Sequence, residues 1–170
     1  MAAKMWNIQK EVSVSLNETA LQILDKCNGK NNLSTIAMII YKDHYEPRET
    51  DLFKQLTNSN AFTSIQYDVL GFLMNLLKFD MLELKLNPVL SERKESEEDK
   101  FYQSPLAKIL LRVLRREPLS YSKISEVLPE IIKKEGNEVE LYPDILNTEI
   151  ANLLLKGKIV TICSTERIEK

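Results

Sequence analysis

VSVSLNETALQILDKCNGKNNLSTIA, residues 12–37, changes its periodicity along its length, and that change decides the fold. Val12, Val14 and Leu16 alternate with Ser13 and Ser15, which gives a strand one apolar face and one polar face. At Asn17 the period becomes helical. Asn17 suits an N-cap, Glu18 meets the positive end of the helix, and Ala20, Ile23, Leu24 and Cys27 recur as one apolar stripe. Asn28-Gly29 stops the helix, because glycine enters the left-handed conformation that commonly ends one. Asn32 is the next cap, and Leu33, Ile36, Met38 or Ile39, and Ile40 form the core face of a second helix. Strand, helix, glycine turn and helix thus open a small domain.

Before this stretch, MAAKMWNIQK is too short to contain a hairpin, and its one large side chain, Trp6, is expected to pack on the domain. After it, residues 43–63, DHYEPRETDLFKQLTNSNAFT, are polar and hold Pro47. Only Leu52, Phe53 and Leu56 show helical spacing there, so the segment reads as a long connection containing a helical turn. The next strong element is SIQYDVLGFLMNLLKFDMLEL, residues 64–84. Its core stripe is Ile65, Val69, Phe72, Leu73 and Leu76, and residues 81–86 alternate like a closing strand. Tyr67, Leu70, Met74 and Leu77 form a second stripe on the same helix. One stripe faces the core, so the other needs a cover: the rest of this chain, or a bound partner.

SERKESEEDK, residues 91–100, has no apolar residue and reads as a linker. A second block then begins at Ser104-Pro105, with Leu106, Ile109, Leu110, Val113 and Leu114 on one helical face. Pro118 breaks the pattern, Ser120 caps a helix containing Ile124, Val127, Leu128 and Ile131, and Gly136 closes it. A short strand at 137–141, a helix at 143–156, Gly157 and a strand at 158–163 follow. An offset of 78 lays Leu76-Leu77-Lys78 over Leu154-Leu155-Lys156, and 81–84 over 159–162. Helix, helix, helix, strand is the order of a winged helix-turn-helix. The expected fold class is therefore mainly α with small β-sheets (α+β), as tandem winged helix-turn-helix domains at 1–86 and 105–170, joined by a charged linker at 87–104.

A net charge of -2 and a pI near 5.6 give no global attraction to nucleic acid or to an anionic membrane. Residues 64–77 hold no Lys or Arg, where a DNA-reading third helix needs cations. In the second block the third helix offers Asn147, Thr148 and Asn152 beside Asp144 and Glu149, although Arg112, Arg115 and Arg116 could touch a phosphate backbone. His44, the single histidine, lies in a polar stretch with no nucleophile or base spaced around it. The glycines at 29, 71, 136 and 157 are scattered, unlike a phosphate-binding loop, and Glu97-Glu98-Asp99 has no turn to fold it round an ion. No catalytic residue, metal or cofactor is expected, and the chain reads as a binding protein. Cys27 and Cys163 sit in apolar patterns, as buried thiols of a reducing compartment do. With no signal-peptide core and no bilayer-spanning run, a cytoplasmic location and no membrane partner are expected.

LNETALQILDKCNGKNNLSTIA, residues 16–37, resembles the centre of the PqqD-like proteins: a strand ending in Leu-Asn-Glu-Thr-Ala, a helix with Ile-Leu, an Asp/Asn-Gly turn, and a capped helix with Ile. The likeness resumes at YDVLGFLMNLLKFDMLEL, residues 67–84, which is similar to that family's Asp-Val-x-x-Phe-Leu-x-x-Leu helix and closing strand. Residues 12–86 are covered. The resemblance implies a small winged helix without catalysis, which binds the leader part of a ribosomally made precursor peptide and presents it to a peptide-modifying enzyme. The leader would add a strand along residues 11–16, with Val12, Ser13, Val14 and Ser15 at the edge. Its side chains would enter a groove lined by Tyr67, Leu70, Met74 and Leu77. That family carries a hairpin ahead of this strand, so the sheet here is expected to borrow a partner from the second block or from a dimer mate. A scaffold or homodimer use of the second stripe stays open at this level, as does DNA binding.

Overall fold

A computed structural model describes residues 3–7, 12–44, 52–91, 104–136, 141–163 and 168–169. The first half comprises β1 (Ala3–Asn7), β2 (Val12–Leu16), α1 (Glu18–Asp25), α2 (Leu33–His44), α3 (Leu52–Lys78), β3 (Leu82–Leu86) and α4 (Pro88–Ser91). The second comprises α5 (Pro105–Arg116), β4 (Leu119–Ser120), α6 (Tyr121–Lys134), α7 (Pro143–Leu155), β5 (Ile159–Cys163) and β6 (Ile168–Glu169). The fold is mixed α+β, with two small antiparallel sheets ordered β2-β1-β6 and β4-β3-β5. No described helix is long and apolar enough to cross a membrane.

The local chemistry sets the helix starts. The Asn17 side chain accepts from Ala20 N at 2.8 Å, and that of Asn32 accepts from Thr35 N at 2.8 Å. Ser104 and Ser120 accept from Ala107 N and Lys123 N at 3.0 and 3.2 Å. Each bond satisfies one of the amide donors that the first helical turn leaves without an intrahelical partner.

Three expectations are corrected. Residues 1–10 do not hold a whole hairpin, but they supply one arm: β1 pairs with β2 from Ala3↔Leu16 to Asn7↔Val12. The sheet also takes β6 from the far end of the chain, with Met5↔Ile168 and Lys4↔Glu169. The stretch 43–63 is not a connection with one turn. Asp43 and His44 end α2, residues 45–51 lie outside the described residues, and everything from Leu52 onward belongs to the 27-residue α3. α2 packs on α3, with Tyr41 edge-to-face on Phe62 at 5.8 Å and Gln66 Nε2 donating to Ser34 Oγ at 3.1 Å. Of the linker expected at 87–104, Asn87 is buried, Pro88–Ser91 form α4 and residues 92–103 lie outside the described residues; of the strand expected at 137–141, residues 137–140 lie outside them and Leu141 is not in a strand.

The third correction concerns the repeat. Both long helices end in a Schellman turn: Met81 N donates to Leu76 O and Asp80 N to Leu77 O, each at 3.0 Å. Likewise Lys158 N donates to Leu153 O at 2.9 Å and Gly157 N to Leu154 O at 3.1 Å. The left-handed residues are Asp80 (φ 54) and Gly157 (φ 71), so the structural offset is 77 rather than 78. With that offset the β3–β5 register becomes self-complementary. Leu82↔Cys163 maps onto Leu86↔Ile159, Glu83↔Ile162 maps onto Lys85↔Val160, and Leu84↔Thr161 maps onto itself. The two halves therefore meet about a pseudo-two-fold axis through Leu84 and Thr161.

The exchange is reciprocal. β4, which precedes the second helix of the second half, pairs with β3 of the first half at Leu84↔Leu119 and Glu83↔Ser120. The α1–α2 turn of the first half pairs with β5 of the second: Asn28 bridges Ile162, Cys163 N donates to Cys27 O at 2.8 Å, and Gly29 N donates to Thr161 O at 3.0 Å. The turns after the long helices dock the same way. Asp80 accepts from Ser122 N at 2.9 Å and from the Ser122 hydroxyl at the start of α6. A Cβ on Gly157 would lie 3.1 Å from Nδ2 of Asn32, the cap of α2. Asn87, buried at the end of β3, fastens this corner by donating from Nδ2 to Gly157 O at 2.8 Å. Across the axis α3 packs on α7 and α6, and α7 also touches α2. One buried cluster runs from Met5 and Leu16 through Leu73, Leu77 and Leu84 to Leu110, Ile150 and Ile159.

Two predictions follow from this junction. Gly29 has φ +79, and a Cβ there would lie 3.0 Å from Ile162 Cγ1. Gly29→Ala is therefore expected to lower stability by about 1–3 kcal/mol in urea unfolding, from left-handed strain plus the displaced isoleucine. Burial pushes the Cys27 thiol up from 9.0 to about 12; neighbouring Cys163 adds to the effect, while a hydrogen bond with Thr161 opposes it. As pH rises the unfolded chain loses this proton first, so stability is intact below pH 9.0 and declines towards pH 12. The slope from this one group is at most about 1.4 kcal/mol per pH unit. Urea unfolding at pH 8 and pH 10.5 should show a steeper loss for the natural chain than for Cys27→Ala.

Candidate peptide-binding edge

β2 is the end strand of its sheet. Among the described residues its one strand neighbour is β1, so its second row of main-chain donors and acceptors faces away from the sheet. The alternation read from the sequence is realised: Leu16 is buried and Val14 half-buried, whereas Ser13 and Ser15 are exposed. Val12 begins the strand, and Glu11 lies outside the described residues. The inner face rests on α1, while Ala3 and Met5 of β1 continue the buried surface.

Lys4 and Trp6 extend the outer face. The register sets Trp6 opposite Ser13 and Lys4 opposite Ser15, so all four share the exposed side. Trp6 does not bury itself on the domain as expected. It stays 39% exposed, with Lys4 Nζ 5.9 Å from its ring centroid, at the outer limit of a cation–π contact. The missed signal was parity: Ala3, Met5 and Asn7 alternate with Lys4 and Trp6, and Asn7 turns inward to donate to Phe79 O at 2.6 Å.

The groove expected from the second stripe of α3 is not formed by those residues together. Tyr67 is 59% exposed and Met74 half-buried, but Leu70 is 9% exposed and Leu77 fully buried. Both leucines belong to the buried core, so this chain covers that part of the stripe. β2 packs on β1 and α1, whereas α3 packs on α2, α6, α7 and β3. Among the described residues no group of three His, Cys, Asp or Glu is placed to hold a metal ion.

No family model, curated protein or solved structure matches the chain.

Burial separates the two ends of the stripe in a measurable way. Leu77→Ala should cost about 3 kcal/mol in urea unfolding, because a closed core cannot refill the cavity. Tyr67→Ala should stay within about 0.5 kcal/mol, as surface substitutions do. Equal small effects at both positions would mean that Leu77 is not core.

Proposed function

We propose that the chain is a non-catalytic peptide-binding module of tandem winged-helix design. It takes an extended segment of a precursor peptide as an added strand on β2 and presents that segment to a modifying enzyme. The observation that carries this proposal is the position of β2 at the sheet end, with a half-buried Val14 and a polar outer row, Ser13 and Ser15, beside Trp6. The resemblance of residues 16–37 and 67–84 to PqqD-like proteins supports the same use of this strand. The winged-helix description rests on the order helix, helix, helix, strand in each half, with the closing strands exchanged between halves.

An added strand would be held chiefly through its backbone. Its residues alternate with period two, so one set would lie over Ser13, Ser15 and Trp6, and the other would continue the inner face beside Val14. The α3 stripe takes no part beyond Tyr67, since Leu70 and Leu77 are buried. Register and choice of peptide then fall to Trp6, Lys4 and the small hydroxyl side chains next to them. Phosphate chemistry is not required, so binding should depend weakly on salt, unlike association with nucleic acid.

The test is backbone chemistry on the ligand. Peptides selected from a random 12-residue display library should share an alternating pattern. N-methylation of alternate residues should abolish binding in one register and spare it in the other, because only every second amide faces β2. Equal tolerance of both methylation sets would refute strand addition. So would a concentration-dependent dimer, seen in sedimentation, that no selected peptide dissociates, since a second copy would then own the edge.

A further inference from the structure

A recess between α5 and α6 lies apart from the β2 edge in sequence and in composition. Its cavity is about 210 Å³, floored by Val113 and Ile131 and rimmed by Arg112, Arg116, Lys134 and Glu135. Val113 and Ile131 are half-buried and rest on the core. Arg112 and Arg116 stand one turn apart on α5, and Ile131, Lys134 and Glu135 share one turn at the end of α6. Among the described residues the rim thus sets three cations against one carboxylate, in a chain whose net charge is -2.

Arg112 Nη2 is ion-paired with Glu135 Oε1 across the mouth, which holds that carboxylate. Among the described residues no ion pair forms at Arg116 or Lys134, both of which are exposed. Arg115 and Lys133, in the same last turns, add to the positive field. Complementing the negative helix ends explains why cations collect there. It does not explain why they ring a recess with an aliphatic floor.

We infer that this recess is a docking site for an acidic peptide segment carrying one aliphatic or aromatic side chain. The volume is below that of ordinary small-molecule sites, which run from roughly 300 Å³ upward, so it suits a single side chain better than a cofactor. The floor of Val113 and Ile131 would take that side chain, while Arg116 and Lys134 would meet carboxylates on either side of it. A phosphate backbone needs cations on an open surface and has nothing to place on an aliphatic floor. The inference stands independently of strand addition at β2.

The experiment uses the full chain and a fluorescein-labelled acidic peptide with one leucine among aspartates and glutamates, read by fluorescence anisotropy. The same peptide with the leucine replaced by serine, and a 20-base-pair duplex, serve as competitors. Binding should weaken by roughly tenfold in the double variant Arg116→Gln, Lys134→Gln, assayed well below its unfolding midpoint so that the lost charge complement at the two helix ends does not enter the readout. Ile131→Trp, which fills the recess without touching charge, should weaken it as well. Equal binding of the serine peptide would overturn the inference, since the recess would then be only a charged patch. Tighter competition by the duplex, or no binding of the leucine peptide, would overturn it too.

Discussion

Antiparallel pairing of β3 with β5 is the constraint on which the rest of the molecule depends. A two-strand ladder leaves each strand one bare edge. Here the outer edge of β3 is closed by Leu119 and Ser120, and that of β5 by Cys27, Asn28 and Gly29. Each half thus supplies the short segment that finishes the other's strand. The helices obey the same geometry, because a Schellman turn before each strand fixes the angle between helix and sheet. Once that angle is set, α3 and α7 have to meet across the axis.

This arrangement determines which surfaces remain for recognition. Leu70 and Leu77 of the second apolar stripe on α3 are buried, which leaves Tyr67 as the exposed end of that stripe. What stays accessible lies at the periphery. One part is the β2 edge, where main-chain groups face outward. The other is the recess beside α5 and α6, where an aliphatic floor is ringed by cations. The first suits a ligand read through its backbone, and the second a ligand read through one side chain and its flanking charge.

Much of this fold is legible in the sequence wherever the determinants are local. Asn17, Asn32 and Ser120 announce caps that the structure realises, and Ala20, Ile23, Leu24 and Cys27 form the stripe their spacing describes. What could not be read depends on contacts between distant residues. Leu119-Ser120 becomes a strand only because β3 lies beside it, and Ala3–Asn7 only because β2 does. Residues 52–63 look like loop because TNSN has poor helix propensity, yet they belong to α3. The candidate site divides in the same way. Alternation placed Ser13 and Ser15 outward correctly, but a helix with two apolar stripes does not say which partner covers the second one.

The strand exchange also sets a schedule for synthesis. β3 is finished at Leu86, but β4 begins at Leu119 and β5 at Ile159, so both partners of β3 leave the ribosome later. At roughly 5–20 residues per second, LELKL waits on the order of several seconds with both edges bare. Short, edge-exposed aliphatic strands are aggregation seeds in that interval. The charges Glu83 and Lys85, alternating with Leu82, Leu84 and Leu86, keep one face of the waiting strand polar, so that it tolerates water until the second half arrives.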